Sequence, residues 1–298
     1  MLTCNLQGGL GNQLFQIFAT IAYSLKTNQS FFFINQHQLT NESDVKNGTT
    51  VRYSYWDTFL SGLKPFIKDP EKLPKLDMYL KEQLFQYDPS ILLNLLNNQH
   101  QVKMLVGYFQ SHKYFELYKK AIFKLIKIEM KQLAMYTIHN PSISFNTTVS
   151  MHFRLGDYKK LQDYHPILTT DYYINALNLI LKERQTNKSI NNVIRTVLYF
   201  CEDADFDEVL EKISYLQNVF PDLIFQRADN SLNDWEQLIL MSLCSGNIIA
   251  NSTFSWWGAY FNANPSKTVC YPGAWFGPKA GHNTCDMFPE DWISVVSL

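Results

Sequence analysis

Apolar residues recur along this chain in two rhythms, short runs that alternate as strands do and longer runs at helical spacing, and the two take turns. Leu2-Thr3-Cys4-Asn5-Leu6 reads as a short strand, and Leu14, Phe15, Phe18, Ile21, Ala22 and Leu25 follow it at helical spacing. Phe31-Phe32-Phe33-Ile34 is a second buried strand. Residues 35–75 then turn polar, with Asn, Asp, Gly and Pro punctuating one helix around Trp56 to Leu63, the pattern of a surface insertion. Strand character returns at 102–109. Phe115, Tyr118, Ile122, Leu125, Ile126, Glu129 and Leu133 recur at helical spacing with lysines opposite, which predicts an amphipathic packing helix over 112–136.

The polar, Pro-containing segment 140–147 reads as a linker. Beyond it, strands at 148–153, 196–200, 223–225, 247–250 and 268–271 alternate with helices at 172–181, 206–216, 235–243 and 254–261. Such alternation builds a parallel, doubly wound α/β sheet whose ligands bind outside the carboxyl ends of the strands. The expected architecture is two such domains, 1–145 and 146–298, facing each other across a cleft.

Composition narrows the choice of function. With 46% hydrophobic residues and a formal net charge of −1, the chain is neither disordered nor a general polyanion binder, so nucleic acid is not an expected partner. The five cysteines are scattered and form no Cys-x-x-Cys, which suits reduced thiols in the cytoplasm better than a disulfide framework or a zinc site. Residues 2–25 carry no charge, yet Gln7, Asn12, Gln13, Gln16 and three clustered glycines interrupt any apolar run, so the reading is a soluble protein without signal peptide or transmembrane anchor. Peripheral association with a membrane stays open.

Candidate chemistry gathers at the predicted strand ends. In Thr148 to Tyr158, apolar alternation meets a cluster of charge, and His152 and Arg154, two apart, would project from one strand face. The guanidinium fork matches carboxylate or phosphate oxygens. Asp157 could orient Arg154 or act as a base, and the competing reading is an ordinary surface ion pair. The turn Gln7 to Gln13 is glycine-rich and leads into a helix, so it is either a tight connection or a ligand loop. It lacks the Gly-Lys-Ser/Thr of a P-loop and the third glycine of a dinucleotide fingerprint. After the strand at 247–250, Ser252 or Thr253 would cap a helix whose hydroxyls and free N–H groups suit a diphosphate, although plain capping would give the same pattern. Trp256 and Trp257 read as core. Asp203-Ala204-Asp205 has the form that holds a divalent ion on a sugar nucleotide. The favoured alternative has Asp203 or Glu202 accepting hydrogen bonds from a base or ribose while Asp205 starts a helix, because Arg154 and the serine-rich cap already supply the charge stabilisation.

Three stretches together, Gly8 to Gln16, His152 to Tyr158 and Ile248 to Ala259, closely resemble the α-1,2-fucosyltransferases of glycosyltransferase family eleven. Smaller matches fall between them at Gly107 to Ser111, His165 to Leu168 and Asp234 to Glu236, in order along nearly the whole chain. The resemblance implies a GT-B-like fold, GDP-fucose as donor, inversion at the anomeric carbon, no required metal or cofactor, and a glycan acceptor ending in β-galactose. By the same resemblance Gly11, Asn12, His152, Arg154, Asp203, Asp234, Ser252, Thr253, Phe254 and Ser255 would line the donor, with Phe254 walling the fucose. Arg154, Asp157 and His152 are the candidates for the chemistry. The family often carries a second arginine where Leu155 stands here, so phosphate contacts would fall more heavily on Arg154. The lack of an animal-type anchor makes the chain look like the soluble bacterial or viral members, in the cytoplasm. Two readings compete with this one, a metal-dependent transferase built on Asp203 and Asp205, and a glycan-binding module without catalysis.

Overall fold

The computed structural model describes residues 1–46, 50–98, 100–186 and 193–296. The chain forms two compact units, Met1–Glu129 with His282–Pro289, and Met130–Gly281 with Glu290–Leu298. This differs from the expected division at 145/146 in two places, each with a visible cause. Gln132 donates from Nε2 to Ser242 Oγ at 2.9 Å and to the Phe261 carbonyl at 3.0 Å, which ties its helix to the second unit. Ser111 Oγ donates to the Asp286 carbonyl at 2.6 Å and Lys113 ion-pairs with Asp286, which returns 282–289 to the first.

In the first unit, β1 (Leu2–Cys4) feeds α1 (Leu10–Thr27), followed by β2 (Phe33–Ile34), α2 (Glu42–Lys46), β3 (Ile67–Lys68), β4 (Met78–Lys81), α3 (Ser90–Asn97), β5 (Lys103–Val106) and α4 (Lys119–Leu125). The strands β1, β5 and β4 form a parallel sheet in that order, Phe31 bridges to Leu2, and β2 pairs with β3. Leu14, Phe15, Ile17, Phe18 and Ile21 of α1 are all buried, so this helix is the centre of the unit's core rather than a surface stripe.

Two expectations for this unit fail. Trp56, Phe59, Leu60 and Leu63 lie in the core, so 35–75 is not simply a surface insertion, and the helix expected there is a 3-10 turn, Ser61–Phe66, containing Pro65. The long helix expected over 112–136 is broken into two 3-10 turns, α4 and α5 (Ile128–His139), because Lys127 adopts a left-handed φ of 57° that no right-handed helix can pass through. Leu133, assigned to its buried face, is exposed.

The second unit contains β6 (Thr148–His152), α6 (Thr170–Thr186), β7 (Thr196–Phe200), α7 (Phe206–Val219), β8 (Ile224–Arg227), α8 (Asp234–Leu243), β9 (Gly246–Ile248), α9 (Thr253–Phe261), β10 (Thr268–Pro272) and β11 (Ile293–Val295). Its parallel sheet has the order β11-β10-β9-β6-β7-β8. The chain enters at β6, winds outward through β7 to β8, then returns to the other side of β6 at β9. Strand order therefore reverses between β6 and β9, the topological switch point beside which doubly wound sheets bind ligands.

Helices cover both faces of this sheet, which buries β6 on both sides. Val149 and Met151 pack with Tyr172, Ala176, Val209 and Ile213. On the opposite pleat Ser150 meets Asn247, whose amide donates to Ser150 Oγ at 2.7 Å and to the Met241 carbonyl at 2.9 Å. Trp256 and Trp257 are fully buried core residues, as the sequence suggested.

Candidate active site

In the first unit the ends of β1 and β5 lie side by side, and their loops are cross-braced by amides. Gln16 accepts the Gln7 N–H at 3.0 Å and donates to the Gly107 carbonyl at 3.2 Å. Gln110 donates to Asn12 Oδ1 at 3.0 Å, and Gln13 donates to the carbonyls of Gly8 and Tyr53. Gly8 has φ +80°, and a Cβ there would stand 2.5 Å from the Asn12 amide, so only glycine fits. Gly11 and Asn12 lie in the first turn of α1, behind the Gly9 N-cap. Glu82, just past β4, accepts the N–H groups of Tyr108 and Phe109 at 3.0 and 2.9 Å and the Tyr114 hydroxyl at 3.1 Å. Burial raises its carboxyl pKa despite these bonds.

In the second unit charge replaces amides. Arg154 lies two residues beyond β6, with Nη1 paired to Glu202, beyond β7, and Nη2 to Asp157 Oδ1 at 2.5 Å. The Tyr158 ring lies 5.1 Å from the guanidinium carbon, and the Tyr158 hydroxyl donates to the Asn251 carbonyl at 3.0 Å, tying the turn after β6 to the turn after β9. Gly156, at φ +36°, donates its N–H to Asp205 Oδ2 at 2.6 Å. Lys159 bonds Glu208 at 2.8 Å and Asp205 at 2.9 Å, and these two bonds, in that order, raise its pKa.

His152 closes β6 and is almost completely buried. Burial first, then the neighbouring Arg154 charge, lowers its pKa to about 3, so the imidazole is neutral at any physiological pH. Its Nδ1 is buried without a hydrogen-bond partner, and its ring lies 5.6 Å from that of Phe254. Phe254 belongs to the first turn of α9, whose N-cap Ser252 accepts the Phe254 N–H at 3.4 Å. The switch point thus gathers His152, Arg154 and the amino end of α9, where helix N–H groups favour an anion.

A comparison of the whole chain gives its family. A model of the family described as Glycosyl transferase family 11 matches residues 1–295. The chain belongs to that family. Among characterised relatives, this family 11 glycosyltransferase is 28% identical to the O-antigen biosynthesis glycosyltransferase WbnK of Escherichia coli over 99% of this chain and 100% of that one. It is 27% identical to an Escherichia coli protein named alpha-1,2-colitosyltransferase, over 99% of each chain. Its fold is GT-B-like. The structure of POFUT1 in complex with GDP-fucose superposes with a TM-score of 0.51 at 10% identity, covering 91% of this chain and 97% of that one. Escherichia coli ADP-heptose lps heptosyltransferase II gives 0.50 at 12% identity, covering 99% and 89%.

Not every expected residue of the family 11 site stands where the sequence suggested. Ser255 is buried, its hydroxyl donating to the carbonyls of Ala250 and Ser252, so it holds the turn instead of facing a ligand. His152 and Arg154 do not share a strand face, since β6 ends at His152. Asp203 and Asp205 part company: Asp203 bonds Asn230 and Arg227, which hold its carboxyl below the usual range in that order, while Asp205 serves Gly156 and Lys159. Asp205 is the N-cap residue of α7 but makes no side-chain cap bond. Asp234 opens α8, where its Oδ1 accepts the Trp235 N–H at 2.7 Å. Thr253 is the first residue of α9.

Sequence reasoning missed Tyr158, Lys159 and Arg227, which brace Arg154 and the two aspartates. Tyr158 and Lys159 directly follow Asp157, and Arg227 ends β8, so strand-end position was the usable signal. Arg52 was also missed, because it sits in the polar stretch read as an insertion. Its Nη1 stands 3.7 Å from where a Gly9 Cβ would be.

Proposed function

We propose that this family 11 glycosyltransferase moves fucose, or a close deoxy analogue, from a GDP-linked donor to the 2-hydroxyl of a terminal β-galactose, with inversion and without a metal. One observation carries the reading: Arg154 and the amino end of α9 follow the adjacent strands β6 and β9 at the switch point, with His152 against Phe254. Departure of the nucleotide leaves negative charge on the β-phosphate as the sugar ring becomes oxocarbenium-like, and fixed donors aimed at that phosphate lower the barrier. Arg154 supplies a cationic fork and the first turn of α9 supplies N–H groups and the Ser252 and Thr253 hydroxyls. His152, held neutral, contributes shape and one hydrogen bond beside the sugar, where Phe254 forms a wall. Asp157 is a positioning residue, since an oxygen bonded to Arg154 is a poor base. Asn12 and Gly11 are assigned to the donor side of the first unit, and Asp203 and Asp234 to the nucleoside.

The name of one relative supports keeping colitose, a fucose analogue, beside fucose as the transferred sugar. The test is direct. Purified protein incubated with GDP-fucose or GDP-colitose and a panel of β-galactosides should release GDP and extend the acceptor. No transfer from either donor would sink the reading. Activity should survive exhaustive chelation, because the carboxylates a metal would need are engaged by Arg227, Asn230, Gly156 and Lys159. Work in the cytoplasm is proposed from the five free cysteines, and no helix among the described residues is long and apolar enough to cross a membrane.

A further inference from the structure

Both nitrogen edges of the Arg154 fork are already held by carboxylates, Nη1 by Glu202 and Nη2 by Asp157. A phosphate gripped bidentately through both Nη nitrogens competes with these two carboxylates for them. The two are not equivalent. Asp157 lies three residues from Arg154 in a 3-10 turn pinned on both sides, by Gly156 N–H and Lys159 Nζ to Asp205 and by the Tyr158 hydroxyl to Asn251. Its short side chain has little freedom to leave. Both carboxylates are about half exposed, so the difference is tethering: Glu202 reaches Arg154 from a separate strand end, 48 residues away in sequence, and has no role in capping the turn it heads. Swinging it into water costs little beyond the ion pair itself.

We propose that Glu202 competes with the donor's diphosphate for the Nη1 edge of Arg154 and so sets how tightly the nucleotide is held, while Asp157 orients the guanidinium in every state. The inference rests on the reading of Arg154 as the diphosphate ligand. An enzyme that held GDP too firmly would be limited by release of this product, and a carboxylate that re-enters the fork as GDP leaves speeds that release. Glu202 is then a positioning residue that tunes affinity through Arg154.

Two carboxylates on one guanidinium should therefore show opposite signs. In calorimetric titrations of the full chain with GDP, E202Q should bind about fivefold more tightly than wild type, the scale of a partly exposed ion pair, and D157N more weakly. Turnover measured alongside should show stronger product inhibition by GDP in E202Q, a readout that lost structural support would not produce. R154A is the control for the underlying reading and should lose most GDP affinity. If R154A binds GDP as wild type does, the diphosphate role of Arg154 fails. If R154A loses GDP and E202Q does not gain it, or if E202Q and D157N shift affinity in the same direction, the competition is overturned and the donor reading stands.

Discussion

The strand-end loops of the first unit are tied together by neutral amides, Gln13, Gln16, Gln110 and Asn12, whereas those of the second are tied by ion pairs on Arg154, Lys159 and Arg227. Amide braces fix a shape and barely respond to salt. Ion pairs hold charge that can be handed to a ligand, and they weaken with ionic strength. Under the proposed function, stabilisation of a charged leaving group would fall to the second unit. Arg52 beside Gly9 and the half-buried Glu82 are the exceptions that test how strict the contrast is.

Four experiments press on this contrast. Arg154→Ala should have the largest effect, a loss of about 10²–10³ in kcat. A loss below tenfold in steady-state kinetics would move the charge stabilisation elsewhere. Glu82→Ala removes the acceptor of two loop N–H groups and should lower unfolding free energy by about 1–3 kcal/mol in denaturant titration. An unchanged midpoint would mean that the loop is held by its neighbours alone. Gln110→Ala deletes one amide bond to Asn12 and should lower kcat/KM by no more than about tenfold, with the same ratio at low and high salt. A salt-dependent ratio would place that loop with the charged half instead.

The smallest expected effect concerns His152. Its folded pKa of about 3 lies below the ordinary 6.5, so the stability it contributes is complete above pH 6.5 and is lost as the pH falls towards 3. Between pH 5 and 8 its ring resonances should not titrate in NMR spectra, and the pH–rate profile should carry no limb from it. A midpoint near 6 would return the imidazole to the charged half of the comparison.

Much of the second unit was legible because its strands and helices are regular and consecutive. The strand at 196–200 matches and most other limits shift by a few residues, since apolar periodicity there is set by burial of each element against its sequence neighbours, although α6 runs on to Thr186 and β11 was not foreseen. The first unit was read less well. Nothing in the apolar rhythm announced β4 or α3, and the φ of Lys127 that splits 112–136 leaves no sequence trace comparable to a Gly or Pro. Of the candidate site, strand-end logic singled out Arg154, Asp157 and Ser252, which lie in the turns after β6 and β9. It could not foresee that Ser255 turns inward, or that Asp203 and Asp205 serve different cations, because side-chain partners arise from strands far apart in sequence.

The return of residues 282–289 to the first unit carries a consequence for biogenesis. During synthesis the amino-terminal unit leaves the ribosome early, yet Ser111 and Lys113 wait for Asp286, which is made after almost all of the second unit. The first half to be translated is then the last to be finished, and a fragment cut at residue 129 would lack a piece of its own surface.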